Sequence, residues 1–302
     1  MSASRPPLAV MTAAFTGVQV GLSIVASRVA VDDLGPTVLA LFRYSIGAAM
    51  ILPLAVHLGW RRIPLRDLWV IAALGIGQFG ILVALLNLAV MHISAGLGSL
   101  IFATMPVQTV LISALLGRQA LTLRRLAGAA LTTLGVAAAL SDRLIGEAGG
   151  AGLWIGIAAA LASAFTGAVC SVLYRPYLTR YPTVQVSGLA MGASVLFLAM
   201  LSPFDGPPIG WDALDAAPWG IVAFIGILSG VGYITWLYSL REMVATEVTL
   251  FLALAPITAS ALGALLLGET LGLGLFAGLA LVILGMRLAL SQASSSPSSS
   301  SR

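Results

Sequence analysis

The chain has no lysine and only one cysteine, two histidines and eleven acidic residues among 302. Each shortage excludes something. A lone Cys170 forbids an intrachain disulfide. His57 and His92 stand far apart, and no His/Cys/carboxylate group has metal-ligand spacing, so neither a metal nor a cofactor is expected. Charged residues make up 9% of the chain, against about 25% in soluble domains. Such a chain does not coat a water-facing surface. The net charge of +4 comes from fifteen scattered arginines rather than a basic domain, which argues against nucleic acid as a partner.

What is present is apolar: 59% of residues are hydrophobic. Ten blocks approach or exceed the ~20 apolar residues that a bilayer-spanning helix needs. They run roughly 8–31, 36–58, 68–90, 95–117, 126–141, 151–174, 183–203, 217–240, 247–267 and 272–290. The fifth is short. Residues 1–7 are expected to be a short cytoplasmic N-terminus, and the Ser-rich residues 291–302 a disordered cytoplasmic tail. With both termini in the cytoplasm, twelve of the fifteen arginines fall on the cytoplasmic side, as the positive-inside bias requires. Arg28 and Arg143 remain outside, joined by Asp32, Asp33, Asp142, Glu147, Asp205, Asp212, Asp215 and Glu269, and Arg43 lies inside the second block. Trp60, Trp69, Trp154, Trp211 and Trp219 lie near block ends, where interfacial aromatics belong.

The chain repeats at an offset near 150. Ala14-Phe15-Thr16-Gly17 recurs as Ala164-Phe165-Thr166-Gly167, Trp69 pairs with Trp219, Pro106 with Pro256, and Leu134-Gly135 with Leu284-Gly285. Five blocks per repeat is an odd number, so the second copy is expected to enter the membrane from the opposite face. Its charges agree: the turn at Gly117-Arg118 is basic where its counterpart Gly268-Glu269 is acidic. The expected fold is an all-α membrane protein of ten transmembrane helices, built as two inverted five-helix repeats, 8–141 and 151–290. Inverted repeats mark secondary transporters with a midplane site between the halves.

These residues resemble the EamA-type branch of the drug/metabolite transporter superfamily. The likeness lies in two five-helix halves, Pro106 and Pro256 in the fourth and ninth helices, the Gly268-Glu269 turn, and Arg43-Tyr44 in the second. The first half departs from the pattern, with Gly117-Arg118 where many members have Gly-Glu. The resemblance implies alternating-access export of amino acids, aromatic ones among them, or of other metabolites or toxic compounds. It places the chain in the inner membrane of a bacterium. The partners are then the lipid bilayer and a small-molecule solute. One chain suffices for this architecture and a dimer is compatible with it. No feature of a channel filter or of an enzyme's nucleophile–base pair stands out.

An ionisable residue inside a span is a functional candidate. Arg43 lies ~10 Å into its helix at 1.5 Å per residue. It either faces the central cavity, as a cation for a substrate carboxylate, or snorkels outward toward Asp32 or Asp33. Thr12, Thr16, Gln19, Ser23 and Ser27 form a stripe on one face of the first helix, which lines a cavity or bonds to other helices. Ser163, Thr166, Cys170 and Tyr174 repeat the theme in the sixth. Tyr233 and Trp236 form a candidate aromatic wall. Gln78, Asn87, Thr104, Gln108 and His92 are further polar candidates. Gln78 and Asn87, nine apart, are expected on opposite faces, so at most one meets the cavity. Pro106, Pro256, Gly117, Gly268 and Glu269 are structural or hinge candidates. Gly75-x-Gly77-x-x-Gly80 imitates a dinucleotide fingerprint but lies inside a span, so helix packing is expected there, as at pairs such as Gly17/Gly21 and Gly274/Gly278.

Overall fold

A computed structural model describes residues 7–117, 122–146, 150–205, 216–269 and 272–290. Arg5, Arg118, Glu147, Trp211, Asp212, Asp215 and the 291–302 tail lie outside these residues, as do the side chains of Asp142, Arg143 and Asp205. Among the described residues the structure is helical throughout, with no strand. Helices satisfy all their backbone donors and acceptors internally, which is what a chain this apolar needs when lipid surrounds it.

Among the described residues eight helices are long and apolar enough to cross a membrane. They are α1 (Pro7–Leu34), α2 (Pro36–His57), α3 (Leu65–His92), α4 (Ala95–Leu115), α6 (Ala151–Arg180), α7 (Thr183–Leu201), α8 (Ala216–Glu242) and α9 (Ala245–Leu267). Two more, α5 (Leu123–Gly146) and α10 (Leu273–Leu290), contain shorter apolar stretches. Every apolar block of the sequence therefore carries a helix.

Three helices are interrupted. The backbone of α3 passes through a π-turn at Ile76–Ile81. In α4 there is a break between Ala95–Phe102 and Met105–Leu115, and Pro106 falls in the first turn of the second piece. In α9, a 3₁₀ segment at Thr249–Ala253 precedes Leu254–Leu267, whose first turn holds Pro256. Both prolines thus sit at the start of a new helical run, where the missing N–H costs nothing.

Glycines set the helix contacts. A Cβ on Gly17 would come within 2.0 Å of the Phe251 carbonyl oxygen, and one on Gly21 within 2.5 Å of that of Ala255, so α1 lies directly on α9. A Cβ on Gly75 would meet the Ala190 backbone at 2.3 Å and one on Gly77 the Cys170 Sγ at 2.7 Å, so this glycine motif packs α3 on α7 and α6. Helices α5 and α10 cross at Gly135 and Gly278, where each added Cβ would meet the other's carbonyl oxygen at 2.7 and 2.5 Å. Trp60, Trp69 and Trp154 are exposed at helix ends, while Trp219 packs edge-on against Phe42 at 5.1 Å.

One end of the molecule, carrying the Arg61 loop, is tied across the two sequence halves. Gln185 accepts from the Arg61 N–H at 3.2 Å and donates to its carbonyl at 2.6 Å. Asp67 accepts from the Tyr181 hydroxyl at 2.6 Å and has Arg180 at 3.7 Å. The bond to Asp67, reinforced by partial burial and by the carboxylate charge, holds the Tyr181 phenol above its ordinary pKa.

Candidate functional site

The polar stripe of α1 divides along its length. Thr12 and Thr16 bond to the hydroxyls of Ser239 and Thr235 on α8 at 2.8 and 3.0 Å. Above them Thr16, Gln19 and Ser27 border a cavity of about 60 Å³, shared with Arg43 of α2, Gln78 and Asn87 of α3, Phe102 and Met105 of α4, Gly232, Tyr233 and Trp236 of α8, and Leu252 of α9. Val20, Ile24, Leu82, Val83, Leu86 and Val90 complete its apolar walls. Two of the helix interruptions border this space: Phe102 and Met105 flank the break in α4, and Leu252 lies in the 3₁₀ segment of α9. The third, the π-turn of α3, carries Gln78 into it.

Eight sequence candidates meet here: Thr16, Gln19, Ser27, Arg43, Gln78, Asn87, Tyr233 and Trp236. The others lie elsewhere. Ser23 is buried and accepts from Gln19 Nε2 at 3.0 Å. Thr104 is occupied by Gln108 Nε2 at 2.9 Å, one turn along α4. The Thr166 hydroxyl donates to the Ala162 carbonyl of its own helix. His92 is exposed, against Gly152 and Gly156 of α6. The α6 stripe serves packing, with Ser163 donating to the Leu82 carbonyl at 2.8 Å.

The expectation that Gln78 and Asn87 face opposite ways is corrected. Both line the cavity. Nine residues of regular α-helix span two and a half turns, but the π-turn at Ile76–Ile81 takes up about one extra residue. That shift brings the two amides within about a quarter turn of each other. Asn87 therefore shares the site with Gln78.

Arg43 is 7% exposed. Its Nε donates to Ser229 Oγ at 2.5 Å, and Ser229 in turn donates to the Ile225 carbonyl. Arg43 thus takes the inward alternative, buried, bonded to Ser229 and on the cavity lining, while Asp32 is engaged by Arg28 at 2.6 Å. Among the described residues no carboxylate pairs with Arg43 and none lines the cavity. A desolvated guanidinium without a counter-charge is costly to keep and attracts an anion. Beside it the Tyr44 and Tyr233 hydroxyls are hydrogen-bonded to each other. Phe79 packs on Tyr233 with ring centroids 3.9 Å apart. Ser27 Oγ, Gln78 Oε1 and Trp236 Nε1 are buried without a hydrogen-bond partner among the described residues. Among the described residues no group of histidine, cysteine or acidic side chains has the arrangement of a metal site.

Glu269 lies outside the cavity. Its carboxylate accepts the N–H groups of Ala95 and Gly96 at 2.8 and 3.3 Å, so the turn before α10 caps the first turn of α4. Gly96 and Gly263 leave room for it: an added Cβ would lie 3.6 and 2.6 Å from its Oε2.

Known proteins place this architecture. The chain is 30% identical over 267 residues to an uncharacterised transporter of Archaeoglobus fulgidus, covering 88% of this chain and 92% of that protein. It is 30% identical over 250 residues to a protein of Streptantibioticus cattleyicolor named as a probable terminal-alkyne amino-acid exporter, covering 81% of this chain and 80% of that one. A solved crystal structure shares the fold with a TM-score of 0.71 at 24% identity, over 98% of this chain and all of the other. The pattern of the EamA-like transporter family matches twice, over residues 7–141 and 152–291. The protein is thus a multi-pass membrane protein, a transporter, and it belongs to the EamA-like transporter family.

Proposed function

We propose that the protein is a secondary carrier exporting small organic metabolites, amino acids foremost and aromatic ones among them, across the bacterial inner membrane by alternating access. The observation that carries this reading is Arg43, a buried cation with no carboxylate of the described residues beside it, in a cavity bordered by broken helices. Such breaks recur at transporter substrate sites. A carboxylate is the natural ligand for a planar, two-pronged guanidinium. The absence of acids from the described lining disfavours a drug pump for purely cationic solutes. The Streptantibioticus relative supports an amino-acid substrate.

In this reading ten helices cross the bilayer as two inverted halves, 8–141 and 151–290, with residues 1–7 and 291–302 and both termini cytoplasmic. The double family match supports the duplication. Reciprocal contacts support a two-fold relation: Gly135 lies against the Gly278 carbonyl and Gly285 against that of Gly128, and an offset of 150 exchanges one pair for the other. At about 60 Å³ the cavity holds a few waters and falls below the ~300 Å³ of a small ligand pocket, so substrate enters only when the halves part. A groove of about 400 Å³ between the Arg61-end termini of α1, α2, α7 and α8 is the candidate inner vestibule. A single chain in the lipid bilayer contains the whole pathway.

Counterflow of labelled amino acids in proteoliposomes tests this. Saturable exchange is expected, reduced about tenfold or more by Arg43→Ala and less by Arg43→Lys, which keeps the charge but loses the fork. Equal flux in Arg43→Ala overturns the assignment.

A further inference from the structure

Three amides border the Arg43 cavity, and the protein has used them in a one-sided way. Gln19 gives its N–H to Ser23 Oγ at 3.0 Å. Asn87 gives its N–H to the Pro36 carbonyl at 2.9 Å. Each bond commits an amide N–H to the protein, and the described residues send no donor to either amide's oxygen. Gln78 is 6% exposed, and its Oε1 is buried with no hydrogen-bond partner among the described residues. Gly232 makes space for this arrangement, since a Cβ there would lie 2.6 Å from Gln19 Oε1. The acceptors are neutral, so they do not quench the Arg43 charge. A buried acceptor left unmade is expensive, as Gln78 Oε1 is here, and with two more amides on the same lining the space calls for a group with several N–H donors.

We infer that Gln19, Gln78 and Asn87 form an ammonium subsite beside Arg43, so that the cavity selects zwitterionic α-amino acids over solutes bearing only a carboxylate or only an amine. This rests on the reading of Arg43 as the carboxylate anchor. The subsite needs no acid: the substrate's own carboxylate supplies the negative charge, and the amide oxygens take up the three N–H donors of the ammonium. A free carboxylic acid would leave these oxygens unpaired, and a free amine would leave Arg43 unpaired. A site built for a polar group rejects the analogue lacking it much more strongly than a merely apolar pocket would.

The test is competitive binding to the purified protein by phenylalanine, 3-phenylpropionate and phenethylamine, which share one ring and differ in charge. Phenylalanine is expected to bind about tenfold or more tightly than either analogue. Gln78→Leu and Asn87→Leu should erase its advantage over 3-phenylpropionate, and Arg43→Ala its advantage over phenethylamine. Gln78→Glu controls for folding, because it should bind phenethylamine more tightly than the parent does. If 3-phenylpropionate binds as tightly as phenylalanine, or if Gln78→Leu weakens both equally, the ammonium subsite is overturned while Arg43 stands. If phenethylamine matches phenylalanine and Arg43→Ala changes nothing, the Arg43 reading fails. If none of the three binds, the aromatic amino-acid assignment fails and the inference with it.

Discussion

Glu269 reaches across 174 positions of sequence to accept the backbone N–H of Ala95 at 2.8 Å. A side chain from the turn before α10 thus caps a helix whose last residue, Phe102, lines the cavity. The link joins the two sequence halves at the end opposite the Gln185–Arg61 clamp. Glu269→Ala is expected to lower stability by about 1–2 kcal/mol. Glu269→Gln should lose less, since its carbonyl still accepts. Thermal unfolding of the three proteins in detergent checks the order.

The Tyr44–Tyr233 bond offers a sharper energetic test. Tyr233→Phe leaves the Tyr44 hydroxyl buried and unpaired, at a cost of about 1–3 kcal/mol. The double variant Tyr44→Phe/Tyr233→Phe removes both polar groups and is expected to recover part of that loss. A double variant less stable than the sum of the singles would contradict the pairing.

Glycine substitutions separate contact from mere composition. Gly278→Leu drives a side chain into the Gly135 carbonyl, 2.5 Å from where the first carbon would lie. It should destabilise by several kcal/mol or block accumulation in the membrane. Gly192→Ala, whose nearest neighbour is Leu52 Cδ1 at 3.9 Å, should be close to neutral. Expression and melting temperature of the pair provide the readout.

At the clamp, Tyr181 is held above its ordinary pKa chiefly by its bond to Asp67. A group whose pKa is raised by folding stabilises while it stays protonated, and that stabilisation is lost as pH climbs through the raised value. Parent protein should therefore exceed Tyr181→Phe in stability at neutral pH, and the gap should close above about pH 10. Melting curves from pH 7 to 11 measure it.

The eight membrane-length helices of the described residues were legible because hydropathy tracks what lipid can surround, and the candidates Arg43, Gln19 and Gln78 because a polar residue inside a span is costly. Asn87 was misplaced for a definite reason. Helical phase is inferred by assuming 3.6 residues per turn, and nothing in Gly75-Ile76-Gly77-Gln78-Phe79-Gly80 announces that a π-turn will shift it. Glu269 showed as part of a turn, yet its partner is a backbone N–H, and any residue at position 95 other than proline supplies one. Ser229 escaped as an Arg43 partner because that pairing depends on how α2 packs against α8. Composition and spacing describe one helix at a time, while the site arises where six of them meet.

The inverted architecture is the claim on which the cavity's role depends. Gly117 and Gly268 are matched probes: both sit at positive φ, 68° and 64°, and an added Cβ at either would meet no atom of the described residues beyond its chain neighbours within 4 Å. With Cys170→Ala removing the natural thiol, Gly117→Cys and Gly268→Cys each present a single cysteine to a membrane-impermeant maleimide. In intact cells Gly268→Cys should be labelled, and Gly117→Cys only after permeabilisation. Labelling of both from the same face would contradict the two-fold relation between the halves.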